Sequence, residues 1–235
     1  VLPPLVAYRA MVRAKIAAFA AAEAELPAAQ REQSRDSARH HLQLAAAVTA
    51  EARGPTWLVV CGPPASGKSS LCRTLATLAH WPHLATDAVR KELAGVTATT
   101  PARPEHYTPE FSARTYAELR ARANRATAAG APVVLLDGNF PSPAHRAAVA
   151  DAARDVGAHL LLVAVDVDAA TAQARAAARA RDPAHVSDAD PAVTARLRER
   201  FVAPSAAEQL PLLAVDGRAP TEVMAETVLA RLVSR

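Results

Sequence analysis

The spacing of apolar residues changes near residue 55. Before that point, apolar residues recur every three or four positions, as along one face of a helix: Leu5, Tyr8, Val12, Ile16 and Phe19, then more weakly Leu42, Ala45 and Val48. Pro27 separates the two repeats, and Gly54-Pro55 ends the second. The pattern predicts two helices over residues 5–52. We expect this hairpin to cover an apolar surface, so that removing it would lower solubility.

Beyond Pro55 the apolar residues come in short unbroken runs, which are typical of strands buried on both faces of a parallel sheet. Four runs are clear and 83–85 is a short fifth; the four are 57–61, 133–136, 160–165 and 212–215. Helices are predicted between and after them, at 67–79, 87–94, 109–129, 143–156, 169–180, 191–203 and 219–233. This alternation predicts an α/β fold, an open parallel sheet flanked by helices and preceded by the N-terminal helical hairpin.

Composition narrows the class of protein. With 51% hydrophobic and 21% charged residues, the chain can bury a core, and no apolar run is long enough to span a membrane. Cys61 and Cys72 cannot make a disulfide framework, so we expect a cytoplasmic protein with two buried, inert thiols. The net charge of +4 comes from arginines scattered along the predicted helices rather than gathered in one tract. Nucleic-acid binding is therefore the less favoured interpretation.

The strongest motif directly follows the first apolar run and precedes a predicted helix: Gly62-Pro63-Pro64-Ala65-Ser66-Gly67-Lys68-Ser69. It satisfies the P-loop pattern G-x-x-x-x-G-K-[ST]. In such a loop the glycines allow the backbone to approach phosphate oxygens, and the lysine reaches the β- and γ-phosphates. The Ser69 hydroxyl is placed to ligate Mg²⁺, and Ser70 completes the predicted nucleotide-binding set. The motif predicts a nucleoside triphosphate site with ATP and Mg²⁺ as cofactors.

Polar residues also follow the next predicted strand, where ligands bind in open α/β sheets. Asp87 opens a predicted helix there, and its carboxylate could accept a proton from a substrate hydroxyl while a γ-phosphoryl group moves in line. Arg90, one turn later, could hold an anionic substrate group. The alternative interpretation is an N-cap aspartate followed by an exposed arginine.

The third strand ends in Asp137, which is similar to a Walker B carboxylate able to hold Mg²⁺ or to bind the acceptor. An aspartate that caps the turn is the alternative. Gly138 stands where mechanochemical ATPases usually carry a second carboxylate to polarise water. This favours transfer to an acceptor over hydrolysis.

Three arginines follow the fourth strand and are candidates for a lid over the phosphates: Arg175, Arg179 and Arg181. Arg175 and Arg179 share one helix face. Arginines above the γ-phosphate would neutralise charge in the transition state, and we favour Arg179 for this role. A solvated helix face would explain all three equally simply.

Together these motifs resemble the polynucleotide-kinase-like branch of small P-loop kinases, which includes phage-type polynucleotide 5′-kinases, zeta-toxin-like kinases and gluconate kinases. The resemblance rests on the P-loop, the Asp-x-x-Arg pair of Asp87 and Arg90, and the Leu-Asp-x-Asn-Phe segment with Asp137 and Asn139. Arg146, a turn into the following helix, and the arginine lid complete it. It implies that Asp87 is the general base, that Arg90, Asp137, Asn139 and Arg146 bind the acceptor, and that Arg179 is a lid residue.

More specifically, residues 86–95 and 187–189 are similar to a bacterial family of AAA-type (AAA_33-like) ATP-binding kinases. Members often follow an aminoglycoside-phosphotransferase-like domain in one polypeptide, and residues 8–15 resemble the last helices of that upstream domain. The resemblance implies that residues 1–53 end an upstream domain and that residues 54–235 form the P-loop kinase domain.

The expected function is transfer of the γ-phosphoryl group of ATP to a hydroxyl group of a small molecule, such as a sugar or nucleotide. We also expect the proline-rich segment 97–112 to form a loop over the acceptor cleft. Two alternatives stay open. One is a nucleotide-binding or ATPase module that regulates the upstream domain, and the other is a polynucleotide 5′-kinase.

Overall fold

The computed structural model of this protein describes residues 3–97, 100, 103–180, 195 and 197–234. Two helices, α1 (Pro3–Ala22) and α2 (Ala28–Glu51), come first and pack against each other as a hairpin. Pro27 stands immediately before α2 with an extended backbone, as expected for a residue that interrupts a helix. The two helices predicted from the spacing of apolar residues are confirmed.

Strands and helices alternate from Thr56 onward. The strands are β1 (Thr56–Cys61), β2 (His83–Ala85), β3 (Val133–Asp137), β4 (His159–Asp166) and β5 (Leu212–Asp216). The helices are α3 (Lys68–Ala79), α4 (Thr86–Leu93), α5 (Pro109–Ala128), α6 (Pro143–Asp155), α7 (Ala169–Ala180) and α8 (Thr221–Val233). All five predicted strands are confirmed. In the described part of the chain, no helix combines the length and the hydropathy needed to cross a membrane.

The helix predicted at 191–203 ends earlier than expected. Residues 195 and 197–199 are helical, whereas 191–194 and 196 lie outside the described residues. The backbone N–H of Val202 donates to the carbonyl of Pro141 at 2.9 Å, and its carbonyl accepts a hydrogen bond from Arg146 at 2.9 Å. These bonds to the loop after β3 replace helical ones, so the chain leaves the helix before Val202.

The five strands form one parallel sheet in the order β2-β3-β1-β4-β5. Strand β1 lies at the centre, and its residue Val60 is level with Asp137 of β3, which is in turn level with Ala85 of β2. The carboxyl ends of these three strands therefore meet at one place on the sheet edge. That edge carries the P-loop.

Strand β1 is buried on both faces and separates two apolar cores. Leu58 and Val60 belong to a core shared with α2, α3 and α8, while Trp57 and Val59 belong to a core shared with α4, α5 and α6. Fully burying a leucine or valine side chain contributes about 1.5–3 kcal/mol of hydrophobic stabilisation. This two-sided burial explains the unbroken apolar run of β1 and fixes the strand that precedes the P-loop.

Helix α2 covers an apolar surface of the sheet domain, as expected for the hairpin. Ala47 and Ala50 are buried in the core beside α3 and α8, and Glu51 accepts a hydrogen bond from the Trp81 indole at 2.8 Å. Helix α1 behaves differently, because it buries only small side chains such as Ala14. Its apolar stripe is 40–66% exposed and consists of Leu5, Tyr8, Val12, Ile16 and Phe19.

Polar replacement of this stripe should therefore leave the fold unchanged. We expect Ile16→Gln combined with Phe19→Gln to reduce self-association and to change the free energy of unfolding by no more than about 0.5 kcal/mol per site. The control is Ala47→Gln, which places a polar amide in the core and should destabilise the protein. Light scattering and urea unfolding measure both effects. Strong destabilisation by the α1 changes would show that the stripe is packed against the protein.

Candidate active site

The loop between β1 and α3 has the backbone conformation of a phosphate-binding loop. Gly62, Ala65 and Gly67 all have positive φ, at 147°, 64° and 108°. A Cβ on Gly62 would lie 2.1 Å from the carbonyl oxygen of Val165, so no other residue fits there. No side chain of the described residues caps the N-terminus of α3. Its first N–H groups could therefore bind an anion, which the helix dipole also favours.

Lys68 is folded onto this loop. Its side chain is buried, and Nζ donates to the carbonyl of Pro63 at 2.7 Å and lies 3.5 Å from Ser66 Oγ. Burial lowers the pKa of the Lys68 ammonium, while the charges of Asp137 and Asp87 act in the opposite direction. A phosphate group would give this ammonium a stronger partner than the carbonyl that it contacts here.

Asp137 lies at the junction of β1, β2 and β3. Its side chain is 5% exposed, and Oδ2 lies 3.3 Å from Nε2 of His83. The two residues after it are tied to the P-loop strand, because the N–H of Gly138 donates to Val60 and the carbonyl of Asn139 accepts from Gly62, both at 3.3 Å. Asp137 and Asn139 thus lie beside the P-loop, and the acceptor-binding roles that the resemblance implies for them stay predictions.

Asp87 is not the N-cap of its helix, and that alternative is wrong. Helix α4 begins at Thr86 and its N-cap position is Ala85, so Asp87 is the second helical residue. The Asp87 side chain is exposed, and its charge acts on Lys68. Asp87 therefore lies on the same side of the sheet edge as Lys68.

Arg90 is buried and contacts residues 106–112 of the predicted acceptor loop. Its guanidinium donates to the carbonyl of His106, lies 3.4 Å from Ser112 Oγ, and stacks over the Tyr107 ring at 4.7 Å. Arg90 Nε is buried without a hydrogen-bond partner among the described residues. One donor thus remains for another group, although the side chain is not the exposed arginine of the alternative interpretation.

Arg175 is the predicted lid residue whose contacts are described. From α7, it donates to the carbonyl of Ser66 at 3.2 Å and to that of Gly217 at 2.8 Å. It therefore connects the P-loop to the loop after β5. The side chain of Arg179, Arg181 and the segment 187–189 lie outside the described residues.

A second arginine at the P-loop was missed by sequence reasoning. Arg198 donates to the carbonyl of Val167 at 2.7 Å and to that of Pro64 at 3.4 Å. Arg198 is one of many arginines on the predicted helices, and nothing in the sequence distinguishes it from the others.

A cleft of about 330 Å³ adjoins the P-loop on the side of Arg175. Gly67 and Ser70 form one wall, and Gly217 and Met224 form another. A Cβ on Gly217 would lie 2.1 Å from the carbonyl oxygen of Ser66, so glycine is needed for this close packing. Sequence reasoning missed this wall, although Gly217 directly follows β5 at the ligand edge of the sheet.

Residues 58–204, more than half of the chain, match the AAA domain family (AAA_33). The chain belongs to this family. Among curated proteins, no significant match to the chain was found.

Solved structures with a similar fold include kinases. A gluconokinase from Sinorhizobium meliloti 1021 is 19% identical with a TM-score of 0.55, covering 77% of this chain and 93% of that one. A sugar kinase from Janibacter sp. HTCC2649 is 16% identical with a TM-score of 0.56, covering 76% and 94%. Kti12 from Chaetomium thermophilum, in complex with ADP-AlF3, is 17% identical with a TM-score of 0.55, covering 75% and 98%. These likenesses establish the P-loop kinase fold.

Arg146 of this AAA domain is placed inside the protein. Its side chain is fully buried, and it makes a bidentate ion pair with Glu208, both hydrogen bonds being 2.7 Å long. Its remaining amino group donates to the carbonyls of Phe140 and Val202. These contacts give Arg146 a structural role, and binding an acceptor would require breaking them.

The Arg146–Glu208 pair predicts a specific dependence of stability on pH. Glu208→Gln should lower the free energy of unfolding at neutral pH by about 3–5 kcal/mol, because it leaves Arg146 buried without a counter-charge. The hydrogen bonds from Arg146 hold the pKa of Glu208 below its usual range. Its stabilising effect is therefore complete above the unfolded pKa of about 4.3 and is lost as pH falls through the lower folded pKa.

Urea unfolding between neutral pH and pH about 3 measures this effect. Wild type should lose stability in acid more steeply than Glu208→Gln. Asp151→Asn, which removes an exposed carboxylate paired with Arg154, serves as the control. If the free energy of unfolding falls equally steeply in acid for wild type and Glu208→Gln, the assigned role of this pair is contradicted.

Packing explains why the residue after Asp137 is glycine. A Cβ on Gly138 would lie 2.6 Å from Thr86 Cγ2. We expect Gly138→Ala to destabilise the domain by about 1–3 kcal/mol through overpacking. Adding Thr86→Ser, which removes Cγ2, should recover part of that loss. Thermal unfolding of both single variants and the double variant tests this, and strictly additive effects would contradict the contact.

Proposed function

We propose that this protein transfers the γ-phosphoryl group of ATP to a hydroxyl group of a small acceptor such as a sugar or nucleotide. One observation carries the proposal. The carboxylates of Asp87, in the first turn of the helix after β2, and of Asp137, at the end of the neighbouring β3, both act on the ammonium of Lys68. A phosphate-binding lysine with two nearby carboxylates supplies a group to fix the nucleotide, a group to hold a metal ion and a group to take a proton.

The nucleotide phosphates would occupy the P-loop. Backbone N–H groups of residues 65–70, at the end of the loop and the N-terminus of α3, would bind the β-phosphate, and Lys68 would leave Pro63 for the β- and γ-phosphates. The adjoining cleft beside Arg175 and Met224 would take the nucleobase. Its mixture of apolar and polar atoms suits a ring with polar edges.

Magnesium would be held by Ser69 and Asp137. Both offer the oxygen donors that Mg²⁺ prefers, and both lie beside Lys68, the first on α3 and the second at the end of β3. The ion would neutralise charge on the phosphate oxygens. The Asp137 side chain is already oriented by its contact with His83.

The acceptor would lie between Asp87 and the segment 103–112. Its hydroxyl would give its proton to the Asp87 carboxylate as the oxygen bonds to the γ-phosphorus, and the bond from that phosphorus to the bridging oxygen would break to release ADP. The Nε of Arg90, which has no hydrogen-bond partner among the described residues, would bind a polar group of the acceptor. Arg179, on α7, would neutralise the transferring group.

Gly138 supports transfer to an acceptor over hydrolysis. A side chain at this position would have to displace Thr86, and glycine itself offers no carboxylate to polarise water. The residues packed on Arg90, from His106 to Ser112, would further limit the access of water. Both features favour an enzyme that discriminates against water.

A second candidate is a regulatory nucleotide-binding module. The observation that favours it is the exposed apolar stripe of α1, which would pack against the aminoglycoside-phosphotransferase-like domain expected upstream. In that arrangement residues 1–53 would connect the two units, and residues 54–235 would respond to ATP.

The test is ADP release in the presence of pooled acceptors. We expect one pool of sugars or nucleosides to accelerate release, with little sensitivity to salt, and Lys68→Ala prepared identically to show no release. Acceleration by oligonucleotides that falls steeply with salt would indicate a polynucleotide 5′-kinase instead. Slow release that no pool changes would favour the regulatory module.

A further inference from the structure

Three side chains with metal-binding chemistry meet behind the P-loop. Cys72 comes from α3, His83 from β2 and Asp137 from the end of β3, and one donor atom of each lies within 4.8 Å of the other two. Cys72 is fully buried, and the His83 and Asp137 side chains are 21% and 5% exposed. Each residue thus sits on a different rigid element, so that the fold itself brings the donors together.

We propose that Cys72, His83 and Asp137 bind Zn²⁺ or a similar transition-metal cation, and that this binding inhibits the protein by withdrawing Asp137 from Mg²⁺. The first half concerns metal binding alone and does not depend on the proposed function. The second half rests on the proposed role of Asp137.

The donor set selects the metal. A thiolate, an imidazole and a carboxylate are the ligands of zinc sites, and three protein ligands with one open position suit a tetrahedral ion. A thiolate is a poor ligand for Mg²⁺, which prefers oxygen. Bond lengths of about 2.0–2.3 Å place tetrahedral donors about 3.3–3.8 Å apart. The Nε2 of His83 and the Oδ2 of Asp137 already lie 3.3 Å apart. All three donors lie within 4.8 Å of one another, so side-chain rotations would bring them to bonding distance of one ion.

Charge balance also permits a cation here despite the nearby lysine. The charge of Asp137 acts on Lys68, and a thiolate at Cys72 would add a second negative charge close to it. When zinc binds, the Cys72 thiol releases its proton to solvent, and the resulting thiolate and the Asp137 carboxylate offset the two charges of the metal. Lys68 then faces a neutral cluster, and the Asp137 carboxylate no longer stabilises the charged ammonium. Phosphate binding and zinc binding at this edge would therefore be coupled.

The second cysteine provides a matched control. Cys61 is as deeply buried as Cys72, but it belongs to the core on the opposite face of the sheet. A variant that lacks only Cys61 keeps all three proposed ligands. Unspecific thiol chemistry would affect both cysteines, whereas the proposed site uses Cys72 and not Cys61.

The binding test is titration of the apoprotein with Co²⁺, a spectroscopic substitute for zinc. We expect a saturable sulfur-to-cobalt charge-transfer band in wild type and Cys61→Ala, and its displacement by Zn²⁺. The band should be absent in Cys72→Ala, and metal affinity should fall by at least about tenfold in His83→Gln. Circular dichroism checks that each variant is folded. Absence of the band in wild type, or its persistence in Cys72→Ala, would overturn the site.

The inhibition test measures the affinity for MgATP by calorimetry with and without one equivalent of zinc. In wild type and Cys61→Ala we expect zinc to weaken MgATP binding by about tenfold or more, reversibly on chelation. In Cys72→Ala zinc should have no effect. Equal weakening in Cys72→Ala would overturn the inhibitory role. Because neither test needs an acceptor, failure of the proposed phosphotransfer would leave both results interpretable.

Discussion

Lys68→Ala is expected to lose most of the affinity for ATP and all measurable turnover while keeping the fold. The hydrogen bonds of Lys68 that the structure describes lie within the P-loop, where it bonds to Pro63 and approaches Ser66, and β1 holds the loop from a core that Lys68 does not enter. Removing a buried ammonium should therefore cost little stability. Calorimetric titration with MgATP measures the affinity, and thermal unfolding checks the fold.

Lys15→Ala is the matched control for this substitution. Lys15 is exposed on α1, where it lies over the Phe19 ring. It should bind MgATP as wild type does. Unchanged MgATP affinity in Lys68→Ala would remove the basis for any P-loop activity in this chain.

Asp87→Asn is expected to lower turnover by about 10²–10⁴, the range for one positioned acid–base group. The substitution keeps the size of the side chain and removes the proton acceptor and its charge. Since Asp87 is the second residue of α4 rather than its cap, losing a first-turn carboxylate should cost only about 0.3–1 kcal/mol of stability. Affinity for ATP should change little. Steady-state kinetics with the identified acceptor provides the measurement.

Two further variants distinguish the loss of the general base from unspecific effects and from the loss of acceptor binding. Asp151→Asn makes the same chemical change at an exposed site and should leave kcat unaffected. Arg90→Ala should raise the acceptor KM more than it lowers kcat if Arg90 binds the acceptor. If Asp87→Asn retains more than about a tenth of wild-type turnover, the general base is Asp137 or no residue at all.

The sheet and its ligand edge could be predicted because their signals are local. β1 is an apolar run followed by a P-loop, and this order already places Gly62 and Lys68 at the carboxyl end of a buried strand. Residues such as Asp137 then follow from the rule that parallel strands share one ligand edge. The order β2-β3-β1-β4-β5 could not be deduced, because it depends on which neighbour each strand finds in space.

The remaining features depend on partners that are distant in sequence. The ion pair of Arg146 needs Glu208, and the contact of Arg198 with the P-loop crosses most of the domain. Periodicity identified the stripe of α1 but could not tell which face of the helix is covered. Small residues such as Ala14 make that contact, and they carry little hydrophobic signal.

The central claim is that the γ-phosphoryl group reaches an organic acceptor. The most direct measurement follows ATP labelled at the γ-phosphate, incubated with each acceptor pool, and separates labelled organic phosphate from inorganic phosphate. The account predicts that wild type places the label in an organic product and that Asp87→Asn does so far more slowly. Label found entirely in inorganic phosphate, at a rate that no acceptor pool changes, would contradict it.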